Sequence, residues 1–149
     1  MAFIFAYIAS AVPCRLRPSG PVVVTTPNTV VELLNITSDE AGRTALTISG
    51  ADNVTVKNVL IHHASSGKGI FFSNSHGISI ENVEIIATGY AGRGPNECNL
   101  ANKDCDSIHG ESSRGVQISG VVLTGGSTGV ELELEGTGFL DNRPLRMVI

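Results

Sequence analysis

A short apolar segment recurs along the chain at intervals of about 24 residues, and this repeat limits the possible folds more than any other feature. The copies are "VELLNI", "VTVKNVLI", "ISIENVEI" and "VQISGVVL". We align them on one position of each copy, which is occupied by Asn35, Asn58, Asn82 and Gly120. The intervals are then 23, 24 and 38 residues, and the last equals 24 plus an insertion of 14.

A second apolar series shows the same period and the same insertion. Its members are Leu46, Ile70, Ile108 and Val130, at intervals of 24, 38 and 22 residues. Around both series apolar and polar residues alternate with period two, which is typical of a strand with one buried face. Several short strands per repeat of this length predict an all-β, right-handed parallel β-helix of about four coils. Asn residues stacked at one bend favour the same fold, because they form hydrogen-bonded ladders.

The composition agrees with stacked aliphatic strands. Aromatic residues make up 5% of the chain, Trp is absent and Gly occurs 17 times, so the core is built from aliphatic side chains and the turns are frequent. An antiparallel sandwich also has short strands, but it does not predict an Asn at a fixed phase of the repeat. A leucine-rich repeat has a similar period, but the LxxLxL pattern is missing.

The repeat divides the chain into a central domain and two flanking segments. We expect the β-helix to span residues 25–138, with a loop insertion at 89–105 and an irregular tail at 139–149. Residues 1–24 include the apolar start "MAFIFAYIASAVPC", which fits either a short secretory signal or a strand of a shortened helix. Since neither flank resembles a cap, we expect the domain to be part of a longer helix or a shortened relative.

Charge and cysteine content restrict the partners and the compartment. The net charge is −4 and basic residues are scattered, so we expect no nucleic-acid partner. The apolar start is shorter than a membrane span, so we expect no membrane partner, and we expect a monomer. Cys98 and Cys105 would close a small disulfide loop in a secreted protein, whereas three free thiols is the alternative. The sequons at Asn35 and Asn53 are compatible with secretion.

Acidic residues and a histidine follow the insertion directly, and they are the candidate site. Asp104 and Asp106 are the candidate catalytic acids, and His109 and Glu111 are candidate substrate-binding residues. A loop inserted in a repeat fold often forms the wall of a binding cleft. Strand alternation places Asp106 on the buried face with Ile108 and His109 on the opposite face, unless the turn redirects them. The alternative is that the acids are turn residues and His109 is a solvated strand residue.

Other polar positions give weaker predictions. His62 and His63 are adjacent, and adjacent strand residues point to opposite faces, so we expect a surface turn and no shared metal ion. No cysteine or histidine spacing predicts a zinc site, and we expect neither a metal nor a cofactor.

Two segments resemble one enzyme family. "NSHGISIENVEIIA" at residues 74–87 and "DSIHGESSRGVQIS" at residues 106–119 are similar to consecutive segments of the polygalacturonases, glycoside hydrolase family 28. The resemblance runs from Asn53 to Gly129, about half the chain. It implies a β-helix that hydrolyses an acidic polysaccharide such as pectin with inversion, outside the cell or in the cell wall. One carboxyl group then protonates the glycosidic oxygen and others activate a water.

The chain also departs from the family pattern at the acids. Asp106 matches the Asp of the family's Asn-Thr-Asp-Gly motif, while the Gly-Asp-Asp motif falls on Gly126, Ser127 and Thr128. The family's Gly-His-Gly and Arg-x-Lys motifs have no counterpart here. We therefore expect a truncated or catalytically weakened relative, in which Asp104 or Glu131 replaces a missing acid only after a rearrangement.

Two other functions are compatible with the same fold. A pectate lyase would need a cluster of calcium-binding acids, for which Glu81, Asp104 and Asp106 are available, and an arginine base that no motif places. A non-catalytic carbohydrate-binding or structural β-helix fits the missing acids, although few aromatic side chains are available to stack on sugars.

Overall fold

The computed structural model describes residues 15–40, 42–64, 67–88, 106–125, 128–134 and 146–148. These residues form thirteen β-strands and no helix, so none of the described residues lies in a helix that could cross a membrane. The strands are β1 (Arg17–Ser19), β2 (Val22–Val24), β3 (Val30–Glu32), β4 (Leu34–Ser38), β5 (Leu46–Ser49), β6 (Thr55–Ala64), β7 (Ile70–Ser73), β8 (Ser79–Thr88), β9 (Asp106–Ser113), β10 (Gln117–Ser119), β11 (Val122–Thr124), β12 (Thr128–Leu134) and β13 (Arg146–Val148).

The strands form two sheets in which every pairing is parallel. The first sheet has the order β1-β4-β6-β8-β11-β13, with β3 paired to β6 and β10 paired to β8. The second sheet has the order β12-β9-β7-β5-β2. The chain passes repeatedly from one sheet to the other, because parallel neighbours need a crossover connection. The prediction of an all-β fold built from parallel strands is confirmed.

Rows of aliphatic side chains, one from each repeat, form the core. In the second sheet Leu46, Ile70, Ile108 and Val130 are direct neighbours in register, as the second series predicts. The first three are fully buried, and Val130 packs against them partly buried. In the first sheet the equivalent row contains Ile36, Ile61, Ile85 and Leu123. Since each strand alternates inward and outward residues, the polar residues between these rows face outward.

The bends of the first sheet lie at residues with left-handed backbone conformation. Asn58, Asn82 and Gly120 have φ of 52°, 49° and 60°, and they are equivalent, as aligned from the sequence. The first repeat differs, because its bend is Leu33, with φ of 56°. The Leu33 N–H donates to the carbonyl of Asn58, whereas Asn35 pairs with Leu60. The alignment of Asn35 with Asn58 was therefore wrong by two residues.

Two buried serines connect neighbouring repeats on the inside of a turn. The N–H of Ala51 donates to Ser75 Oγ over 3.1 Å, and the N–H of Ser75 donates to Ser113 Oγ over 3.2 Å. Each serine hydroxyl also donates to a carbonyl two residues earlier in the chain. Ser75 and Ser113 are fully buried, so these bonds satisfy backbone groups that water does not reach.

The sheets reach beyond the range 25–138 expected from the repeat. β1 pairs with β4 and β2 pairs with β5, so residues 17–24 belong to the sheets. β13 pairs with β11, which places part of the segment 139–149 at a sheet edge. The apolar start, the loop insertion at 89–105 and the disulfide predicted between Cys98 and Cys105 lie outside the described residues.

Candidate functional site

Strand β9 presents the candidate residues on the outer face of the second sheet. Ile108 points into the core, between Ile70 and Val130. Gly110 also faces inward, because a Cβ atom added there would overlap the ring of Phe72. The residues between and after these two, His109 and Glu111, therefore project from the opposite face.

His109 is the centre of a cluster of carboxylates. Its Nδ1 lies 2.8 Å from Asp106 Oδ2, and its Nε2 lies 2.9 Å from Glu111 Oε1. A third carboxylate, Glu131, has its Oε2 3.9 Å from Nδ1. His109 is only 6% exposed and Asp106 2% exposed, whereas the side chains of Glu111 and Glu131 are both 43% exposed. His109 and Asp106 are thus the buried part of the cluster, and Glu111 and Glu131 are its two solvent-accessible carboxylates.

The cluster is rich in negative charge. A neutral imidazole has one N–H, so it can donate to only one of the two carboxylates at hydrogen-bond distance. Both contacts become hydrogen bonds when a second proton is held by the ring or by a carboxyl group. Even with a protonated His109, the three ionised carboxylates leave the group with two negative charges. Such a cluster attracts cations and protons.

A row of outward side chains continues from His109 along the second sheet. The row has one residue from each of the strands β5, β7, β9 and β12, and its members are neighbours in register: Thr47, Phe71, His109 and Glu131. The rings of Phe71 and His109 are 5.6 Å apart between centroids and tilted by 38°. Lys68 Nζ lies 4.8 Å from the centroid of the Phe71 ring. The row therefore combines an apolar ring, an imidazole and a carboxylate, with the cation Lys68 beside the ring.

The structure brings together three of the four residues predicted from the sequence. Asp106, His109 and Glu111 are in contact, and Asp104 lies outside the described residues. The contact between Asp106 and His109 differs from strict alternation, which places them on opposite faces of β9. Asp106 is the first residue of β9, where the strand begins, and its side chain reaches the ring of His109. It is nevertheless buried, as alternation predicts.

Glu131 is a fourth member of the cluster. It pairs with His109 in the register of β9 and β12. An oxygen of Glu131 and an oxygen of Asp106 lie within 4.8 Å of each other. That is shorter than the roughly 6.5–9.5 Å between the carboxyl groups of inverting glycosidases. Asp106 and Glu131 therefore do not have the spacing of an inverting pair.

The remaining candidates do not join this cluster. His62 and His63 both lie in strand β6, and His63 is fully buried, so the surface turn expected for the two histidines was wrong. A groove of about 460 Å³ lies at the opposite end of the sheets, among residues of β1, β2 and β3. It is lined mainly by valines and threonines and contains none of the predicted site residues.

Comparison with known proteins finds no family model, no curated protein and no solved structure that matches this chain. The function is therefore argued from the residues of the cluster and from their geometry.

Proposed function

We propose that the chain is a right-handed parallel β-helix domain that hydrolyses an acidic polysaccharide of the pectin type, at a rate well below that of a complete polygalacturonase. Parallel sheets with repeats of about 24 residues support the β-helix, and crossovers between parallel strands are right-handed in about 98% of proteins. The resemblance of the segment after the insertion to polygalacturonases supports the substrate class. Such a substrate implies a secreted or cell-wall protein, and we expect it to act as a monomer.

The observation that carries the proposal is the position of Glu111 and Glu131 on either side of the His109 ring. Both carboxylates are half-exposed, and each approaches a different nitrogen of the imidazole. The imidazole keeps these two carboxylates apart, and separated carboxyl groups are what an inverting enzyme needs, at roughly 6.5–9.5 Å, to hold a water between them. One glutamic acid then donates its proton to the glycosidic oxygen as the C–O bond breaks. The other takes a proton from the water that attacks the anomeric carbon.

Asp106 and His109 have supporting roles in this proposal. Asp106 is buried and hydrogen-bonded to His109 Nδ1, so it positions the ring and does not contact a polymer lying on the surface. The ring in turn holds Glu111 by its Nε2. Phe71 offers an apolar face and Lys68 a positive charge beside it, which together suit a sugar ring carrying a carboxylate.

The expected rate is low because acids that the family uses are missing. Ser127 and Thr128 stand where the resemblance places a pair of aspartates. A well-placed general acid or base contributes about 10²–10⁴-fold to the rate. A site that depends on Glu111 and Glu131 alone is therefore slower than a complete one by a factor of this order.

The test measures the release of reducing ends from polygalacturonate by the purified chain. We expect slow release, reduced to background in Glu131→Gln and in Glu111→Gln. The matched control is Glu133→Gln, since Glu133 is an exposed carboxylate on the same strand as Glu131 and pairs with Glu111. It should keep the rate of the wild type. The product should have the inverted anomeric configuration by NMR.

Four outcomes contradict parts of this proposal. Fast turnover that Asp106→Asn abolishes would show a complete site built on Asp106. Retention of the slow rate in both Glu111→Gln and Glu131→Gln would exclude the glutamate pair. Calcium-dependent formation of an unsaturated product would identify a lyase instead. Binding of the polysaccharide without cleavage would support a non-catalytic domain, which the absent aspartates also favour.

A further inference from the structure

We propose that Asp106, His109 and Glu131 form a binding site for one divalent transition-metal ion, with Zn²⁺ as the preferred ion. Each residue offers one ligand atom, and these atoms all lie within 4.8 Å of one another. The site comes from two neighbouring strands, β9 and β12, whose register places Glu131 next to His109. It therefore rests on the sheet pairing and needs no residue from the insertion.

The geometry requires only a small adjustment around Zn²⁺. Zinc binds imidazole nitrogen and carboxylate oxygen at about 2.0–2.2 Å in a tetrahedral arrangement, so two of its ligand atoms lie about 3.3–3.6 Å apart. The distances from His109 Nδ1 to Asp106 Oδ2 and to Glu131 Oε2 are 2.8 Å and 3.9 Å. Asp106 and His109 are buried and fixed, while the half-exposed Glu131 has the freedom to close onto an ion.

The donor set selects the kind of ion. One imidazole nitrogen with two carboxylate oxygens suits Zn²⁺ and Mn²⁺. Ca²⁺ and Mg²⁺ prefer oxygen ligands alone, and Ca²⁺ takes six to eight of them. This cluster is therefore a poor calcium site, which separates it from the calcium sites of a lyase.

Glu111 orients the imidazole as a partner of a metal-bound histidine does. Metal-ligating histidines usually donate the N–H of their other nitrogen to a carboxylate or a carbonyl. In the tautomer with its proton on Nε2, the ring donates to Glu111 Oε1, 2.9 Å away, and the lone pair of Nδ1 is directed at Asp106 and Glu131. A lone pair facing two anionic groups is unfavourable unless a proton or a cation lies between them.

A separate observation beside the cluster also indicates a missing ligand. Ser107 is fully buried, and its Oγ has no hydrogen-bond partner among the described residues. Ser107 follows Asp106 directly at the start of β9, so it is next to the cluster in the chain. A buried hydroxyl without a partner indicates an ordered water or ion nearby. A zinc ion with three protein ligands keeps a water in its fourth position, and that water would be such a partner.

The experiment measures metal binding to the full chain without any glycan, so its result does not depend on hydrolysis, although Glu131 has a role in both proposals. The chain is first dialysed against a chelator, and Zn²⁺ is then titrated by isothermal calorimetry. We expect one ion per chain and a higher Tm in its presence. Glu131→Gln removes a ligand, and Glu111→Gln removes the orienting carboxylate, so each should weaken binding roughly 10- to 100-fold. Glu133→Gln should bind as the wild type does.

Circular dichroism of the metal-free variants separates a lost ligand from a lost fold. Glu131 is half-exposed, so we expect Glu131→Gln to fold normally. Titration with Co²⁺ tests whether the three cysteines bind the ion instead, because thiolate ligands give a charge-transfer absorption in the near ultraviolet. That absorption, the absence of saturable binding, or equal affinity in Glu131→Gln and Glu133→Gln would each overturn the proposal.

Discussion

Substitution of Gly110 by alanine should destabilise the chain through a contact with one aromatic ring. Gly110 lies on β9 between His109 and Glu111 and faces the core. A Cβ atom there would overlap the Cζ and Cε2 atoms of Phe72 and lie 3.1 Å from Leu132 Cδ2. Phe72 is fully buried, so its ring has no path to solvent and has to move within the core.

The size of the effect follows from two opposing contributions. An extra methyl group in a packed core costs about 1–3 kcal/mol. Alanine also restricts the unfolded chain, which offsets about 0.4–1 kcal/mol of that cost. The two contributions leave a net cost of about 0–2.6 kcal/mol, and because the added atom overlaps two ring atoms we expect the free energy of unfolding to fall by about 1–2 kcal/mol. In a Phe72→Leu background the two overlapping ring atoms are gone. The same change at Gly110 should then cost less than about 0.5 kcal/mol, a coupling expected of residues in contact.

Urea unfolding followed by far-ultraviolet circular dichroism measures these free energies, since the chain has no Trp. The control is Gly20→Ala, because no atom lies within 4 Å of a Cβ at Gly20. It should leave stability unchanged or slightly raised. If Gly110→Ala costs the same free energy in the wild type and in the Phe72→Leu background, the reasoning is refuted, since the Phe72 ring would then not cause the destabilisation.

Two further predictions concern buried polar groups of other strands and turns. Ser75→Ala should lower the free energy of unfolding by about 1–3 kcal/mol, because it leaves the buried N–H of Ala51 without an acceptor. In the same urea assay the control Ser49→Ala, at an exposed position, should change the free energy of unfolding by less than about 0.5 kcal/mol. Burial lowers the pKa of His63 below its ordinary value of 6.5, so below pH 6.5 the unfolded chain binds the proton more readily and stability falls. Urea unfolding measured from about pH 7.5 to 5.5 should show this loss of stability in the wild type and in His62→Gln, and a smaller loss in His63→Gln. An equal pH dependence of stability in all three proteins would contradict the prediction.

The core could be predicted from the sequence because its pattern is local and periodic. Alternation identifies which residues of a strand face inward, and the period identifies which strands are neighbours. Leu46, Ile70 and Ile108 were found in this way and lie in register. The bend of the first repeat could not be found, because left-handed backbone is indicated by Asn or Gly and Leu33 is neither. Asn35 lies two residues after this bend and was therefore aligned with Asn58 incorrectly.

The site was predicted in part for the same reason. Asp106, His109 and Glu111 are near one another in the sequence, so a single motif contains them. Glu131 was predicted to replace a missing acid only after a rearrangement, because the family motif places its acids at positions 127 and 128. The repeat period predicts the contact of Glu131 with His109, since the alignment of Val130 with Ile108 makes these two residues neighbours. Contacts between repeats, such as the serine hydrogen bonds, are visible only through such register arguments.

The separation of inward and outward rows has a consequence for how such a chain changes over evolutionary time. Thr47, Phe71 and His109 each occupy one outward position, while the residues that hold the sheets together lie on the other face. A mutation in the outward row replaces one chemical group without repacking the interior. Catalytic groups can therefore be lost or exchanged one at a time while folding is maintained, so a lineage can pass through weak or inactive intermediates that still fold.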